Sequence, residues 1–151
     1  MADRIAAINL GGLQQVGTPY KWFNRPRNLF FADLVGEPPM NLLDIKVAKA
    51  DGGIVLGGSG LSLKVTDPRI CEVAASVMGK PVVLGIRPIH LQLHTSSPSA
   101  NAVPGTVSLF EDLGDSAIVG VQVNGLLIRA ETSSERRAHI GDKVFLDFPA
   151  D

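Results

Sequence analysis

Two histidines stand at a spacing that can bind a metal ion. His90 and His94 are four residues apart, which on an α-helix would place both imidazoles on one face. Pro88 and the strand-like apolar run before it argue against a helix here, and no third ligand lies nearby. We therefore predict no metal site, packed or hydrogen-bonded roles for these two histidines, and an exposed loop position for His139.

The glycine-rich segment 51–60, DGGIVLGGSG, has the glycine spacing of a phosphate-binding loop. Ser59-Gly60 follows Gly53-x-x-x-x-Gly58, whereas a P-loop continues with lysine and then serine or threonine. That lysine contacts the phosphates and the hydroxyl binds magnesium, so the segment lacks the groups that this chemistry needs. We interpret it as hairpin turns around a short strand, with a nucleotide site as the alternative.

The other reactive side chains form no catalytic set. Cys71 falls on or beside the apolar face of a predicted helix and is predicted to be a buried thiol. Three acids at one turn could bind a cation or a partner, although solvated turn residues are the ordinary interpretation; they are Glu111, Asp112 and Asp115. Arg136-Arg137 is too short for a nucleic-acid patch. The residues alone predict no catalytic site and no bound cofactor.

Composition narrows the class of protein. The chain has 151 residues, 45% of them hydrophobic and 19% charged, and a net charge of −1. These values fit one folded domain with or without an appendage. They do not fit a disordered chain, and they lack the basic excess of a nucleic-acid-binding protein. The single cysteine excludes an internal disulfide. The start lacks signal-peptide form and no apolar run approaches ~18 residues, so membrane association is expected only through a partner.

The first 36 residues are predicted to form a β-hairpin and two short helices. Residues 4–17 are two extended runs around Asn9-Leu10-Gly11-Gly12, whose glycines suit a tight turn. Thr18-Pro19 supplies a capping hydroxyl and a helix-starting proline, and Pro26 divides the following segment in two. These elements are too few for a core of their own, so we expect them to need a partner surface. Pro38-Pro39 favour extended backbone, and we divide the chain into residues 1–36 and 37–151.

Residues 37–151 are predicted to be mainly β. Short strands with regular turns indicate a small barrel or sandwich; they are NLLDIKVAKA, the centre of DGGIVLGGSG, LSLKV, PVVLGIR, TVSLFEDLG, SAIVGVQV, LLIRAET and KVFLDF. PVVLGIR has the unbroken apolar run of a buried strand. Turns are expected at Gly114-Asp115, Asn124-Gly125 and Gly141-Asp142. Residues 95–105 are expected to be a surface loop or linker.

One helix is predicted to interrupt these strands. Asp67-Pro68 opens it and Gly79 closes it. Its apolar face is predicted to consist of Ile70, Val73, Ala74 and Val77.

Four segments together resemble one family, the ATP-binding subunits of sugar-type ABC importers. ADRIAAINLGGLQQVGTPYKWFNRPRNLFFADLVGEPPMNLL resembles the junction between their nucleotide-binding domain and C-terminal regulatory domain. LGIRPIHL resembles the family motif LGIRPEHL, with Ile89 in place of glutamate. VSLFEDLGDSAIVGVQVNG and HIGDKVFLDF resemble the later strands of the regulatory domain, so the resemblance covers almost the whole chain.

The resemblance implies an OB-like or MOP-like small barrel, called a TOBE domain, with one short helix inserted. A β-hairpin and two short helices precede it as the end of an ATPase domain. The implied function is non-catalytic regulation and dimerisation in an importer of sugars or related solutes. The implied partners are a second copy, membrane permease subunits and a regulatory protein, at the cytoplasmic face of the membrane.

ATP hydrolysis is implied for the full-length parent and not for these residues. The P-loop, signature, acidic strand end and switch histidine of such ATPases have no match here. ATP and magnesium are accordingly expected as cofactors of the parent only.

The family motifs imply structural positions and no catalytic ones. These positions are Gly85, Arg87, Pro88, His90, Gly114, Gly141 and Asp142. Arg87 and His90 are predicted to lie at a corner where Pro88 ends a strand. With Ile89 in place of the family's glutamate, Arg87 is predicted to find another acid or a carbonyl group.

A second function is kept open. TOBE domains resemble molybdate-binding modules, so the chain could instead bind a small ligand or an oxyanion. Ser108, Ser116 and Lys143 are the candidate donors.

Overall fold

The computed structural model describes residues 2–50, 53–135 and 138–149. Its contacts divide the chain into two units, Met1–Met40 and Asn41–Asp151. The boundary predicted from the sequence lies four residues earlier, between residues 36 and 37. The turn at 51–52 and the Arg136-Arg137 pair lie outside the described residues.

Local sequence signals produce the elements of the first unit. Strands β1 (Ile5–Asn9) and β2 (Gly12–Gly17) form the predicted antiparallel hairpin. Leu10 and Gly11 make its turn with φ of 49° and 76°, so a leucine shares the left-handed conformation expected of glycine. Helix α1 (Pro19–Asn24) starts at Thr18, whose hydroxyl accepts the Lys21 N–H at 3.3 Å.

Helix α2 (Leu29–Leu34) completes this unit and starts at Asn28, whose side chain accepts the Phe31 N–H at 3.1 Å. Trp22 and Phe31 are buried and meet edge to face, with ring centroids 5.0 Å apart. The Trp22 indole N–H donates to the Ile5 carbonyl at 3.1 Å. The surrounding large apolar side chains are exposed, among them Ile8, Leu10, Leu13, Tyr20, Phe30 and Leu34.

The second unit contains two antiparallel sheets. The four-stranded sheet has the order β5-β4-β3-β6. Its strands are β3 (Asn41–Ala50), β4 (Gly53–Gly58), β5 (Leu61–Val65) and β6 (Pro81–Ile86). Residues alternate along β3, with Leu43, Ile45 and Val47 buried and the intervening side chains exposed. One face of this sheet therefore belongs to the core.

The five-stranded sheet has the order β10-β9-β8-β11-β7. Its strands are β7 (Gln92–His94), β8 (Ala102–Asp112), β9 (Ser116–Val123), β10 (Leu126–Ser133) and β11 (Lys143–Asp147). The sheet curls so that its two edge strands, β10 and β7, approach each other. Asn124 and Gly125 form the predicted β9–β10 turn with φ of 49° and 87°.

A single apolar cluster fills the space between these sheets. Its buried members run from Leu43 to Phe148 and come from both sheets. Leu91, Val107, Val121, Ile128 and Leu146 are among those almost fully withdrawn from solvent. The predicted fold class is confirmed: the domain is mainly β, with an OB-like arrangement of its strands and one inserted helix.

The prediction that PVVLGIR is a buried strand is wrong. Strand β6 lies at the edge of its sheet, and its side chains alternate between exposed and half-buried. Only one face of the strand packs on the core, while Val83 on the other face is 39% exposed. The unbroken apolar run therefore predicted burial of both faces of the strand, whereas the core covers only one of them.

Two smaller expectations also need correction. Helix α3 (Pro68–Ser76) begins at Asp67 as predicted, but Ile70 and Val73 are exposed because the short helix packs through Ala74, with Cys71 and Val77 half-buried. The loop predicted over 95–105 is shorter, since Ala102–Gly105 pairs with β11 as the start of β8. Within the described ranges, no helix is long and apolar enough to cross a membrane.

Candidate functional site

The LGIRPIHL segment forms a tight corner between the two sheets of the second unit. Arg87 is extended, and Pro88–His90 make one 3-10 turn closed by the His90 N–H on the Arg87 carbonyl at 3.0 Å. Strand β7 follows, so the corner connects the four-stranded sheet to the five-stranded sheet. Gly85 precedes it in β6, opposite Leu42.

Arg87 is buried at this corner, with only 3% of its surface exposed. Burial disfavours the charged guanidinium and lowers the pKa of Arg87 from its usual value. Pro88 is buried beside it, while Ile89 and His90 are exposed. The expected contact between Arg87 and an acid or carbonyl stays a prediction.

The two histidines of the metal hypothesis do not share a helix. His90 ends the 3-10 turn, and His94 lies in β7 opposite Phe145. Among the described residues, no group of three or more His, Cys, Asp or Glu is arranged to hold a metal ion. Asp112 instead serves its own turn, where its side chain accepts the Gly114 N–H at 2.9 Å.

The predicted turn residues Gly141 and Asp142 form a hydrogen-bonded turn with His139 against strand β8. The Gly141 N–H donates to the Val107 carbonyl at 2.8 Å, and the Val107 N–H donates to the Asp142 carbonyl at 2.9 Å. One carboxylate oxygen of Asp142 accepts the His139 backbone N–H at 2.8 Å. Gly114, with φ of 98°, serves a different turn, between β8 and β9. The family-motif positions therefore do not converge on one site.

The three candidate oxyanion donors do not converge either. The Ser108 hydroxyl donates to the Gly120 carbonyl at 3.3 Å, and the Lys143 ammonium donates to the Thr106 hydroxyl at 2.8 Å. Ser116 starts β9 opposite Ser133. None of the three donors lines any of three cavities among the described residues of this unit, which have volumes of about 260, 570 and 80 Å³.

Two buried asparagines, Asn41 and Asn101, form hydrogen bonds with the backbone of edge strands. The sequence analysis did not predict this role. Asn41 donates its amide to the Arg129 carbonyl at 2.8 Å and accepts the Arg129 N–H at 2.9 Å. Asn101 does the same to Lys64, accepting its N–H at 2.8 Å and donating to its carbonyl at 2.9 Å. Each amide thereby takes the place of a neighbouring strand, on β10 and on β5.

Each of these amides covers one residue of its edge strand. The edge strands of the two sheets are β5, β6, β7 and β10. Asparagine amides bind Lys64 on β5, Arg129 on β10 and the Ile86 carbonyl at the end of β6, and β7 is only three residues long. Between Val82 and Gly85, the outer edge of β6 receives no hydrogen bond from any residue that the structure describes. Backbone groups on such an edge are free to pair with another strand.

An exposed strip of mixed character lies on the outward face of β3 and β6. Leu42 lies opposite Gly85, and Val83 lies opposite Asp44. Leu42 and Val83 are 36% and 39% exposed, and Lys46 follows Asp44 on the same outward face. We call Leu42, Asp44, Lys46, Val83 and Gly85 the β6 strip. A cavity of about 570 Å³ lies along part of it, between the ends of β4 and β6.

Comparison with known families matches two overlapping segments of the chain. Residues 36–91 match the MalK OB fold domain, and residues 84–151 match the TOBE domain. Together the two matches span residues 36–151 of the chain. These two matches, together with curated relatives named as import ATP-binding proteins, confirm the resemblance to ATP-binding subunits of sugar-type ABC importers.

Curated relatives align with almost the entire chain. It is 37% identical over 98% of its length to the trehalose/maltose import ATP-binding protein MalK of Thermococcus litoralis, of which it covers 40%. It is 31% identical over 99% of its length to an sn-glycerol-3-phosphate import ATP-binding protein UgpC of Agrobacterium fabrum, of which it covers 38%. The chain thus spans about two fifths of the length of these relatives.

A solved structure supports the fold. The cytoplasmic molybdate-binding protein ModG superimposes with a TM-score of 0.59 over 74% of this chain and 91% of its own, at 24% identity. At that identity the likeness establishes the shared OB-like architecture alone.

Proposed function

We propose that this chain is a non-catalytic regulatory and dimerisation region of the ATP-binding subunit of an ABC importer. The matches to the OB and TOBE families support the regulatory assignment. The observation that carries the pairing role is the outer edge of β6, which receives no hydrogen bond between Val82 and Gly85 from any residue that the structure describes.

The β6 strip is suited to a second copy of the chain. Edge strands pair readily with each other, and a two-fold axis brings the same strip of both copies together. Asp44 and Lys46 project from the outward face of β3, one strand in from this edge. Leu42 and Val83 supply exposed apolar surface beside this edge. Pairing of this region raises the effective concentration of the ATPase halves to which it is joined.

The rest of the proposal concerns the parent protein. Relatives are named as import ATP-binding proteins for trehalose and maltose or for sn-glycerol 3-phosphate. We assign the parent to import of sugars or related solutes, with ATP and magnesium as its cofactors, permease subunits as its membrane partners and a regulatory protein as a further one. This places the chain at the cytoplasmic face of the membrane.

Sedimentation of the 151-residue chain across a concentration series tests the pairing. We expect a monomer–dimer equilibrium and a dissociation constant raised about tenfold or more by Val83→Asp, since the variant places a like charge from each copy beside the paired edge strands. Val73→Asp is the matched control, because Val73 is an even more exposed valine on helix α3. A monomer at every concentration, or equal effects of the two variants, would contradict pairing through β6.

A further inference from the structure

Two turns, one from each sheet of the second unit, meet through the side chain of Asn124. Ser59-Gly60 joins β4 to β5 with φ of 53° and 76°, and Asn124-Gly125 joins β9 to β10 with φ of 49° and 87°. The Asn124 amide donates to the Gly60 carbonyl at 2.8 Å. A Cβ on Gly60 would lie 2.7 Å from Asn124 Cγ, so the contact is close as well as hydrogen-bonded. Asn124 therefore joins a turn of one sheet to a turn of the other.

The residue after Asn124 makes its side chain chemically labile. The backbone nitrogen of the next residue can attack the side-chain carbon of an asparagine and close a succinimide ring. A side chain on that next residue hinders the approach, whereas glycine has none and adopts more backbone conformations. Asn124-Gly125 is the one Asn-Gly pair in the sequence, since every other asparagine precedes leucine, arginine or alanine. The sequence thus favours this reaction at Asn124 above all other asparagines.

The structure leaves the reacting groups accessible. Asn124 and Gly125 are both exposed. The Gly125 N–H donates to no residue that the structure describes, so its proton can be lost without breaking a strand-to-strand hydrogen bond. Apart from its neighbours in the chain, no described atom lies within 4 Å of the place that a Cβ on Gly125 would take. The bond from Asn124 to Gly60 joins two exposed residues, and such bonds open locally at low cost.

We propose that Asn124 is a site of spontaneous deamidation in the folded chain. A solvent base removes the Gly125 amide proton, and the nitrogen attacks Asn124 Cγ. The new N–Cγ bond forms as the Cγ–Nδ2 bond breaks, and Nδ2 takes up a proton and leaves as ammonia. Water then opens the succinimide: addition at Cγ gives aspartate, and addition at the backbone carbonyl of residue 124 gives isoaspartate. In sum an amide becomes an acid, water is consumed, ammonia is released and no group is oxidised or reduced.

Both products remove the hydrogen bond between the two turns. An ionised carboxylate only accepts hydrogen bonds, so residue 124 no longer has a proton to donate to the Gly60 carbonyl. Isoaspartate also adds a methylene group to the main chain of a two-residue turn, which alters the geometry that aligns β9 with β10. The β4–β5 turn keeps the bond from the Ser59 hydroxyl to the Asp44 carbonyl at 3.2 Å, within its own sheet. Deamidation therefore breaks the hydrogen bond between these turns of the two sheets.

The test is peptide mapping by mass spectrometry after incubation of the folded 151-residue chain at mildly alkaline pH. We expect aspartate and isoaspartate to accumulate at Asn124, faster at higher pH, with an equal amount of ammonia released. Asn9 and Asn24 are controls in the same sample, because both are exposed but precede leucine and arginine. The chain in concentrated urea gives the rate of the unfolded Asn-Gly pair. The proposal is overturned if Asn124 stays intact in the folded chain while the unfolded chain converts, or if Asn9 and Asn24 convert equally fast.

Asn124→Asp tests the structural consequence separately. In urea denaturation followed by far-UV circular dichroism, we expect a lower midpoint for this variant than for the native chain, and a still lower one for the purified isoaspartate form. Asn9→Asp is the matched control, because it adds the same charge at an exposed residue of β1 and should leave the midpoint unchanged. Equal midpoints for Asn124→Asp and the native chain would overturn the role assigned to the Asn124 contact. Peptide mapping detects a covalent change, so its result does not depend on the proposed pairing through β6.

Discussion

At the scale of single residues, two side-chain amides form hydrogen bonds that backbone groups of a neighbouring strand usually form. Asn41 and Asn101 each present a donor and an acceptor to one residue of an edge strand. Asn41 also donates to the Ile86 carbonyl at 3.3 Å, so its amide contacts both sheets. Both side chains are buried, which makes these hydrogen bonds costly to remove.

We expect Asn41→Ala to lower the free energy of unfolding by about 2–4 kcal/mol, because it leaves the Arg129 N–H and carbonyl without their partner. Urea denaturation measures the change, with a shifted midpoint and an unchanged slope. Gln122→Ala is the control, since that amide is exposed on β9 and should change stability by less than about 0.5 kcal/mol. Equal effects at both positions would show that the Asn41 bonds contribute nothing.

The sequence predicted the residues of the candidate sites less well than the elements. Asn41 and Asn101 have no sequence signal of their own, because an asparagine beside prolines or serines is also an ordinary loop residue. Their function depends on Arg129 and Lys64, which are distant along the chain. The contact of Asn124 with Gly60 was missed for the same reason, since it joins turns of two different sheets.

At the scale of elements, turn and cap chemistry was the most reliable guide. Thr18-Pro19, Asp67-Pro68 and Asn124-Gly125 each mark an element boundary that the structure contains. These signals are local, so one segment suffices to detect them. Burial was less predictable: β6 and helix α3 have apolar faces turned outward, and the sequence does not distinguish an apolar side chain facing the core from one facing solvent or a partner.

Helix α3 gives a prediction for the pH dependence of stability. The Asp67 carboxylate accepts hydrogen bonds from the Arg69 side chain and from the Ile70 and Arg69 N–H groups, which lowers the pKa of Asp67 from 3.8 to about 2. A lowered folded-state pKa stabilises the fold above the unfolded value, and this contribution is lost as pH falls from 3.8 through about 2.

Urea denaturation across this pH range measures the contribution against an Asp67→Asn variant. We expect the native chain to exceed the variant in stability at neutral pH, and the difference to shrink between pH 3.8 and 2. Arg69→Gln removes the largest cause of the shift and should move the loss to higher pH. Parallel stability curves for the native chain and Asp67→Asn down to pH 2 would refute the assignment.

At the scale of the whole molecule, the large core belongs to one unit only. Every buried member of the main cluster lies between Leu43 and Phe148. The single Trp and single Tyr of the chain, Trp22 and Tyr20, lie in the first unit, whose other large apolar side chains are mostly exposed. The two units therefore differ in both the size of their cores and the spectroscopic signals that they carry.

We expect a fragment from Met40 onward to fold cooperatively and to keep the urea midpoint that far-UV circular dichroism gives for the intact chain. In the intact chain, tryptophan fluorescence should report an earlier and separate transition, because Trp22 lies in the unit with the small core. Coincident transitions, or a fragment without a cooperative transition, would show instead that the first unit is needed for the second to fold.

The position of Asn41 has a mechanical consequence. It is the first residue of the second unit, and its side chain is bonded to strands of both sheets. A force applied along the backbone at residue 40 is therefore shared between β3 and β10. Separating β3 from its sheet requires breaking the hydrogen bonds of Asn41 to the other sheet. A connection built this way resists tearing at the junction and passes a pull from one unit into the whole of the next.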